Sequence, residues 1–360
     1  MVLMSKKKRI NRIIIGTRGS MLALYQAEWV KSELQRLSPD IEVSLNKIKT
    51  TGDKILDVPL AKIGGKGLFV KEIEEALLTG EIDIAVHSMK DVPTDLPEGL
   101  HLPAICKRED PRDALIISRK SNPPPPPFAK GGRRGINTSL IYALPEGARV
   151  GTSSLRRLCQ LLNIRPDLKI VQLRGNLDTR LRKLNEGHFD AIIVAVAGIK
   201  RLGWAERITE ILEPEICLPA IGQGAIGIEC SIDNKIINKM LGALHHKETS
   251  ISVKAERSFL KRLEGGCQVP IAAYARIVSQ ESGVRSQKSN PDNPPIPSLV
   301  KGGEGGLLVM DGLVGSIDGK RLVKGHIEGR PDDFESLGNR LAEDLLSRGA
   351  KEILAEVYGR

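Results

Sequence analysis

Apolar residues recur along this chain in two rhythms. Ile13-Ile14-Ile15 is an unbroken run closed by Gly16-Thr17, the pattern of a short strand buried on both faces. From Ser20 onward the spacing turns helical, with Leu22, Tyr25, Trp29, Val30 and Leu34. The same order returns at Ala148-Arg149-Val150-Gly151-Thr152-Ser153-Ser154, which leads into a helix carrying Leu155, Leu158, Leu161 and Leu162. Each unit continues into a strand that stops at a glycine turn, Val43 to Ile48 before Gly52-Asp53 and Ile170 to Leu173 before Gly175-Asn176. Each closes with a helix and a third strand, ending at Val86 in the first unit and Val194 in the second.

Strands alternating with helices predict parallel sheets covered on both faces. The fold class expected is therefore α/β, two similar doubly wound lobes, followed by a smaller α+β C-terminal domain. That last domain reads as a helix from Val253 to Leu263, strands at Ile271 to Val278 and near 307–327, and a helix near 334–348. The boundaries expected are 1–106 with 225–242 for lobe 1, 107–224 for lobe 2 and 247–360 for the third domain. Two proline-rich stretches interrupt this plan. Asn122-Pro123-Pro124 and Asn293-Pro294-Pro295 each open a segment that ends in Lys-Gly-Gly, and both read as copies of one element lodged in surface loops, at about 119–138 and 281–306.

Hydrophobic residues at 41% and charged residues at 27% describe an ordinary globular protein, and 360 residues suffice for two or three cores. The net charge of +10 invites a nucleic-acid reading, but its distribution argues against one. Residues 1–12 and 119–134 each hold five basic and no acidic side chains, so the rest of the chain is neutral overall. Few aromatics (3%) leave few platforms for base stacking. No apolar run is long enough to span a membrane, and Ile13-Ile14-Ile15 is too short for the core of an export signal. Five cysteines without regular spacing indicate neither a disulfide framework nor a zinc site, and His245-His246 lacks partners at metal spacing, so no metal is expected. A reducing cytoplasm fits best.

The chemistry gathers at the turns where strands end, which is where open α/β sheets bind ligands. Gly16-Thr17-Arg18-Gly19-Ser20 sets a cation and a hydroxyl at a helix start, suited to an anion, although Ser20 could simply be an N-cap. Ser153-Ser154-Leu155-Arg156-Arg157 repeats the arrangement with two guanidinium groups; Arg174, Arg180 and Arg201 add more. Arginine grips carboxylate through two parallel bonds, so this series suggests a ligand with several carboxylates. Ser88, Lys90 and Asp91 leave the third strand directly. Asp91, one carboxylate among many cations, suits a developing positive charge or a proton. His87 beside them reads as structural. Lys62 and Lys66 lie in a glycine-rich loop before Phe69 that could cover the site or merely lead into a helix at 69–78. Cys267 stands in Glu264-Gly265-Gly266-Cys267-Gln268-Val269-Pro270, a loop that presents sulfur rather than hiding it.

At these residues the chain resembles the porphobilinogen deaminase family. The resemblance runs almost end to end, through Gly64 to Glu72, His87 to Pro93, Gly151 to Arg157, Leu173 to Asn176, Pro219 to Gly224 and Glu264 to Pro270. It implies a transferase of tetrapyrrole biosynthesis that joins four porphobilinogen molecules head to tail, releases ammonia each time and frees the product by hydrolysis. It implies a dipyrromethane cofactor held by Cys267 through a thioether, with Ser88, Lys90, Thr152, Ser154, Arg156, Arg157, Arg174 and Asn176 around it. Arg18, Ser20, Arg174, Arg180 and Gln223 are the implied substrate contacts. Lys62, Lys66, Phe69 and Arg201 are implied to cover the site and guide the chain, and Asp91 to stabilise the azafulvene cation formed as ammonia leaves. A monomer is the family expectation, with porphobilinogen and the growing polypyrrole as partners and neither nucleic acid nor membrane.

The competing reading is a two-lobed, periplasmic-binding-protein-like receptor for small anions without catalysis. The exposed Cys267 loop and the missing export signal weigh against it.

Overall fold

The computed structural model describes residues 11–54, 69–118, 139–265, 269–278 and 306–359. Lys62, Lys66, Cys267, the basic run before residue 11 and the two proline-rich segments lie outside them.

The strands in chain order are β1 (Arg12–Thr17), β2 (Glu42–Lys47), β3 (Ile84–Ser88), β4 (Leu100–Ile105), β5 (Asp113–Ile117), β6 (Arg149–Gly151), β7 (Lys169–Val171), β8 (Ala191–Ala195), β9 (Glu210–Leu212), β10 (Ile226–Ser231), β11 (Ile271–Val278), β12 (Leu307–Gly315) and β13 (Leu322–Gly329). They form two five-stranded sheets of the same plan, β2-β1-β3-β10-β4 and β7-β6-β8-β5-β9. In each, the three strands expected from the repeat run parallel. The fourth runs antiparallel to its neighbours and departs from the expected parallel pattern. The reason is connectivity. β5 is entered from the first lobe and β10 from the second, so each arrives from the cleft end. The chain thus crosses between lobes twice, at 107–112 and again before β10.

Both sheets are covered on two faces, as doubly wound lobes require. In lobe 1 the Met21–Leu37 helix buries Ala27, Val30 and Leu34 against Ile13, Ile15, Ile84 and Val86. The Lys71–Leu78 helix packs Ile73, Ala76 and Leu77 on the opposite face. Burying each such aliphatic side chain contributes roughly 1.5–3 kcal/mol. The helical face expected for the first helix is only partly right, because Tyr25 and Trp29 are exposed and Gln26 is buried instead. The Leu155–Ile164 helix departs further: its buried face holds Arg156, Arg157, Cys159 and Gln160 with Leu161.

The third domain lays the Lys247–Arg262, Phe334–Leu345 and Lys351–Tyr358 helices over one face of the antiparallel sheet β11-β12-β13. The other face packs Ala272 and Leu313 against Cys159 and Leu218 of lobe 2.

Candidate active site

Ser88 ends β3, and Met89–Asp91 follows as one 3-10 turn, so Lys90 and Asp91 are delivered by the strand end itself. Three neighbours hold this turn. Met89 donates its backbone N–H to Ala225 O at 3.0 Å. Gly222, at φ +68°, lies so close that a Cβ there would stand 2.8 Å from Met89 Cβ. Arg257 of the third domain donates to the carbonyls of Val92 (3.0 Å), Pro93 (2.5 Å) and Thr94 (3.3 Å) just beyond Asp91. Behind the turn, His87 is buried with Nε2 2.9 Å from Glu229 Oε2, in keeping with its structural reading.

The hydroxyls of Ser20 in lobe 1 and Ser154 in lobe 2 cap their helices, accepting from Ala23 N–H (3.3 Å) and Arg157 N–H (3.5 Å). Thr152 is buried and accepts from Ser154 N–H at 3.2 Å. Asn176 begins the Leu177–Glu186 helix with an exposed side chain that makes no capping bond, and Arg174 is half-buried beside it. Arg18 lies over the ring of Phe69, 4.3 Å from its centroid. Phe69 in turn fills the space that any Cβ on Gly52 would occupy.

The charged groups converge on Lys90. Burial lowers its pKa and the charges of Arg157 and Arg180 lower it further, while Asp91 and Asp113 oppose them. Arg180 is pushed down to about 10 by burial and by Arg157, with Asp91 opposing. Its Nε donates to Gly175 O at 2.8 Å. Arg157 is buried, donates Nη1 to Ile193 O (2.9 Å) and Nη2 to Asp113 Oδ1 (2.7 Å), and has no partner for Nε among the described residues. Three cations crowded together with a buried, unpartnered N–H suit an acidic ligand.

Two expected contacts are placed elsewhere. Gln223 is 1% exposed, and Nε2 donates to Pro111 O (2.6 Å) and Asp113 Oδ1 (3.0 Å), so its amide is committed to the protein. Arg156 is 4% exposed and binds Asp113 Oδ2 (2.8 Å) and Leu218 O (2.7 Å). Both brace the site from behind. Arg201 reaches the crossover, where Nη2 donates to Gly224 O at 2.7 Å. Asp113 itself escaped the sequence reading. Burial alone would raise its pKa, but the charges of Arg156 and Arg157 and their hydrogen bonds hold it well below the usual carboxylate range.

The roots of the cysteine loop are anchored. Glu264 takes φ +52°, outside the usual region for a side-chain-bearing residue, and its carbonyl accepts from Tyr358 Oη at 2.9 Å. Gly265 packs so tightly that a Cβ would meet Leu260 and Ile271 at 2.6 Å, and Val269 is buried on the far side. The other four cysteines, Cys106, Cys159, Cys217 and Cys230, are buried, and burial pushes each thiol up to about 12. Among the described residues no group of three His, Cys, Asp or Glu side chains is arranged to hold a metal, and no helix is long and apolar enough to cross a membrane.

Two family models match the chain: "Porphobilinogen deaminase, dipyromethane cofactor binding domain" over residues 13–239 and "Porphobilinogen deaminase, C-terminal domain" over residues 250–347. The porphobilinogen deaminase of Geobacter sp. (strain M21) is 51% identical over 351 residues, 98% of this chain and 96% of its own length. That of Citrifermentans bemidjiense is 52% identical over the same shares. Among solved structures, the periplasmic VFT2 domain of Bordetella pertussis BvgS is 14% identical with a TM-score of 0.37, over 64% of this chain and 86% of that one.

Proposed function

The chain belongs to the porphobilinogen deaminase family, and from that premise we propose that it is a hydroxymethylbilane synthase, working in the cytoplasm on porphobilinogen and a growing polypyrrole. Its substrate carries two carboxylates on each pyrrole ring. The observation that carries the reading is the gathering of Asp91, Arg157 and Arg180 around Lys90, with Arg157 Nε buried and unpartnered among the described residues.

The residues present fit a dipyrromethane cofactor. Cys267 would hold it covalently, and Ser88, Lys90, Thr152, Ser154, Arg157, Arg174 and Asn176 would surround it. When bound, dipyrromethane supplies the pyrrole carbon to which new units are added. Arg18, Ser20, Arg157, Arg174 and Arg180 orient the incoming substrate through its acetate and propionate groups. Asp91 faces the pyrrole N–H as ammonia departs and offsets the positive charge that develops there. Lys62 and Lys66 of the glycine-rich loop, with Phe69, cover the substrate, and Arg201 guides the lengthening chain along the crossover. Arg156 and Gln223 act behind this surface through Asp113. The lobes divide at the two crossovers, near 106–107 and 224–225.

The test is an intact mass of the purified protein with peptide mapping around Cys267, followed by a porphobilinogen consumption assay. An adduct of two linked pyrrole units, absent from Cys267→Ser, together with turnover, is the expected result. An unmodified thiol in protein made with ample porphobilinogen, and no turnover, would favour the anion-receptor reading.

A further inference from the structure

Asp113 opens β5 and is fully buried. A carboxylate accepts about four hydrogen bonds, and side chains approach this one from four directions. Oδ1 accepts from Arg157 Nη2 at 2.7 Å and Gln223 Nε2 at 3.0 Å. Oδ2 accepts from Arg156 Nη1 at 2.8 Å and Cys217 Sγ at 3.4 Å. These donors come from the Leu155–Ile164 helix, from the segment after β9 and from the returning crossover. Gln223 then ties the same point to Pro111 in the outgoing crossover.

The consequence falls on Arg157. Its guanidinium is a rigid plane with five N–H groups. Nη2 on Asp113 and Nη1 on Ile193 O hold that plane at two points, which fixes where the Nε edge is directed. An ion pair serving stability alone would balance its charges. Here two arginines share one carboxylate, beside Lys90 and Arg180, and positive charge remains in excess.

We propose that Asp113 is a positioning residue for the reaction: it fixes Arg157 from the hinge so that the remaining N–H edge meets a pyrrole carboxylate. The proposal rests on the porphobilinogen reading above and adds the group that aims its anion site. Asp113 itself does not touch substrate. Its removal leaves Arg157 charged but free to turn, so substrate and transition state lose the same contact, and KM rises while kcat changes little.

The experiment compares Asp113→Asn, Arg157→Gln and the double variant as full-length holoenzymes carrying the pyrrole adduct, with circular dichroism confirming the fold. Each single variant is expected to raise KM about tenfold, the loss of one charge-assisted contact, with kcat within about threefold of the parent. The double variant should be no worse than Arg157→Gln, because Asp113 acts through Arg157. A KM for Asp113→Asn within about twofold of the parent, or losses that multiply in the double variant, would overturn the proposal. If Asp113→Asn does not fold, Gln223→Met removes one donor from the same carboxylate without unpairing a charge. A raised KM supports the proposal and an unchanged one sinks it. Inactive parent enzyme would overturn the functional reading and this proposal together, whereas an active parent with an unchanged variant overturns this proposal alone.

Discussion

Glu256 grips Arg108 at both ends, Oε1 to Nη1 at 2.6 Å and Oε2 to Nη2 at 3.2 Å, with the carboxylate fully buried. The same carboxylate accepts from Gly222 N–H (2.7 Å) and Ala275 N–H (2.8 Å). One side chain of the third domain therefore joins both crossovers to β11. Glu256→Gln leaves Arg108 charged and buried without its counter-ion, and should cost about 3–5 kcal/mol. Urea unfolding monitored by circular dichroism measures this; a change under about 1 kcal/mol would mean the hinge is held by packing alone.

Asp91→Asn keeps the shape of the turn and removes its charge. The variant should fold like the parent, since Ala225, Gly222 and Arg257 hold the turn through backbone and packing. Turnover should fall by roughly 10²–10³ or more, the usual cost of losing a preorganised electrostatic partner. Single-turnover assays with porphobilinogen measure it, and near-normal rates would remove Asp91 from the mechanism.

Gly222→Ala tests how closely the hinge backs the turn from Ser88 to Asp91. The residue sits at φ +68°, and its new methyl would press on Met89. A loss of about 1–3 kcal/mol is expected, with kcat reduced as Ser88 to Asp91 is pushed outward. Unchanged kcat in a destabilised variant would show that the turn does not feel the hinge.

Glu74, Glu229 and His87 share the buried layer beneath the Lys71–Leu78 helix. Burial, and then the charge of Glu229, push Glu74 up to about 7 from an ordinary 4.5, with His87 opposing. A carboxyl raised in the folded state is favoured while protonated, so its penalty is absent below pH 4.5 and grows until about pH 7. Glu74→Gln should match the parent at pH 4 and exceed it by roughly 1–3 kcal/mol at pH 8. A stability difference that does not vary with pH would contradict this origin.

His326 behaves with the opposite sign. The hydrogen bond it donates to Asp311 at 2.6 Å, aided by Glu328, raises it to about 9 against the opposing effect of burial. Its stabilisation is whole below pH 6.5 and disappears as pH rises through about 9. The group is half-exposed, so the effect should stay under about 1 kcal/mol. His326→Gln should therefore melt below the parent at pH 6 and with it at pH 10.

The two lobes, the third domain and the motif-bearing turns were all legible from the chain. They depend on local periodicity and on short contiguous stretches, such as Ser88 to Asp91 and Gly151 to Arg157. The antiparallel fourth strands were not, because their direction is set by the crossovers that bring β5 into lobe 2 and β10 back into lobe 1, not by any local pattern. Arg156 also misled. Beside Arg157 it reads as a second ligand contact, yet packing turns it onto Asp113, whose neighbourhood Arg108-Glu109-Asp110-Pro111-Arg112-Asp113 looks like an ordinary solvated charge run.

By itself, then, the order of residues determined which turns carry sulfur, cation and carboxylate, because that chemistry is written in adjacent positions. Tertiary structure decided which charges lose water and against whom they are paired. Asp113 meets Arg157 across 44 positions and Glu256 meets Arg108 across 148. No local pattern encodes such meetings; the energetics of a charge depend on burial and partner, and both exist only once the lobes have closed on their crossovers.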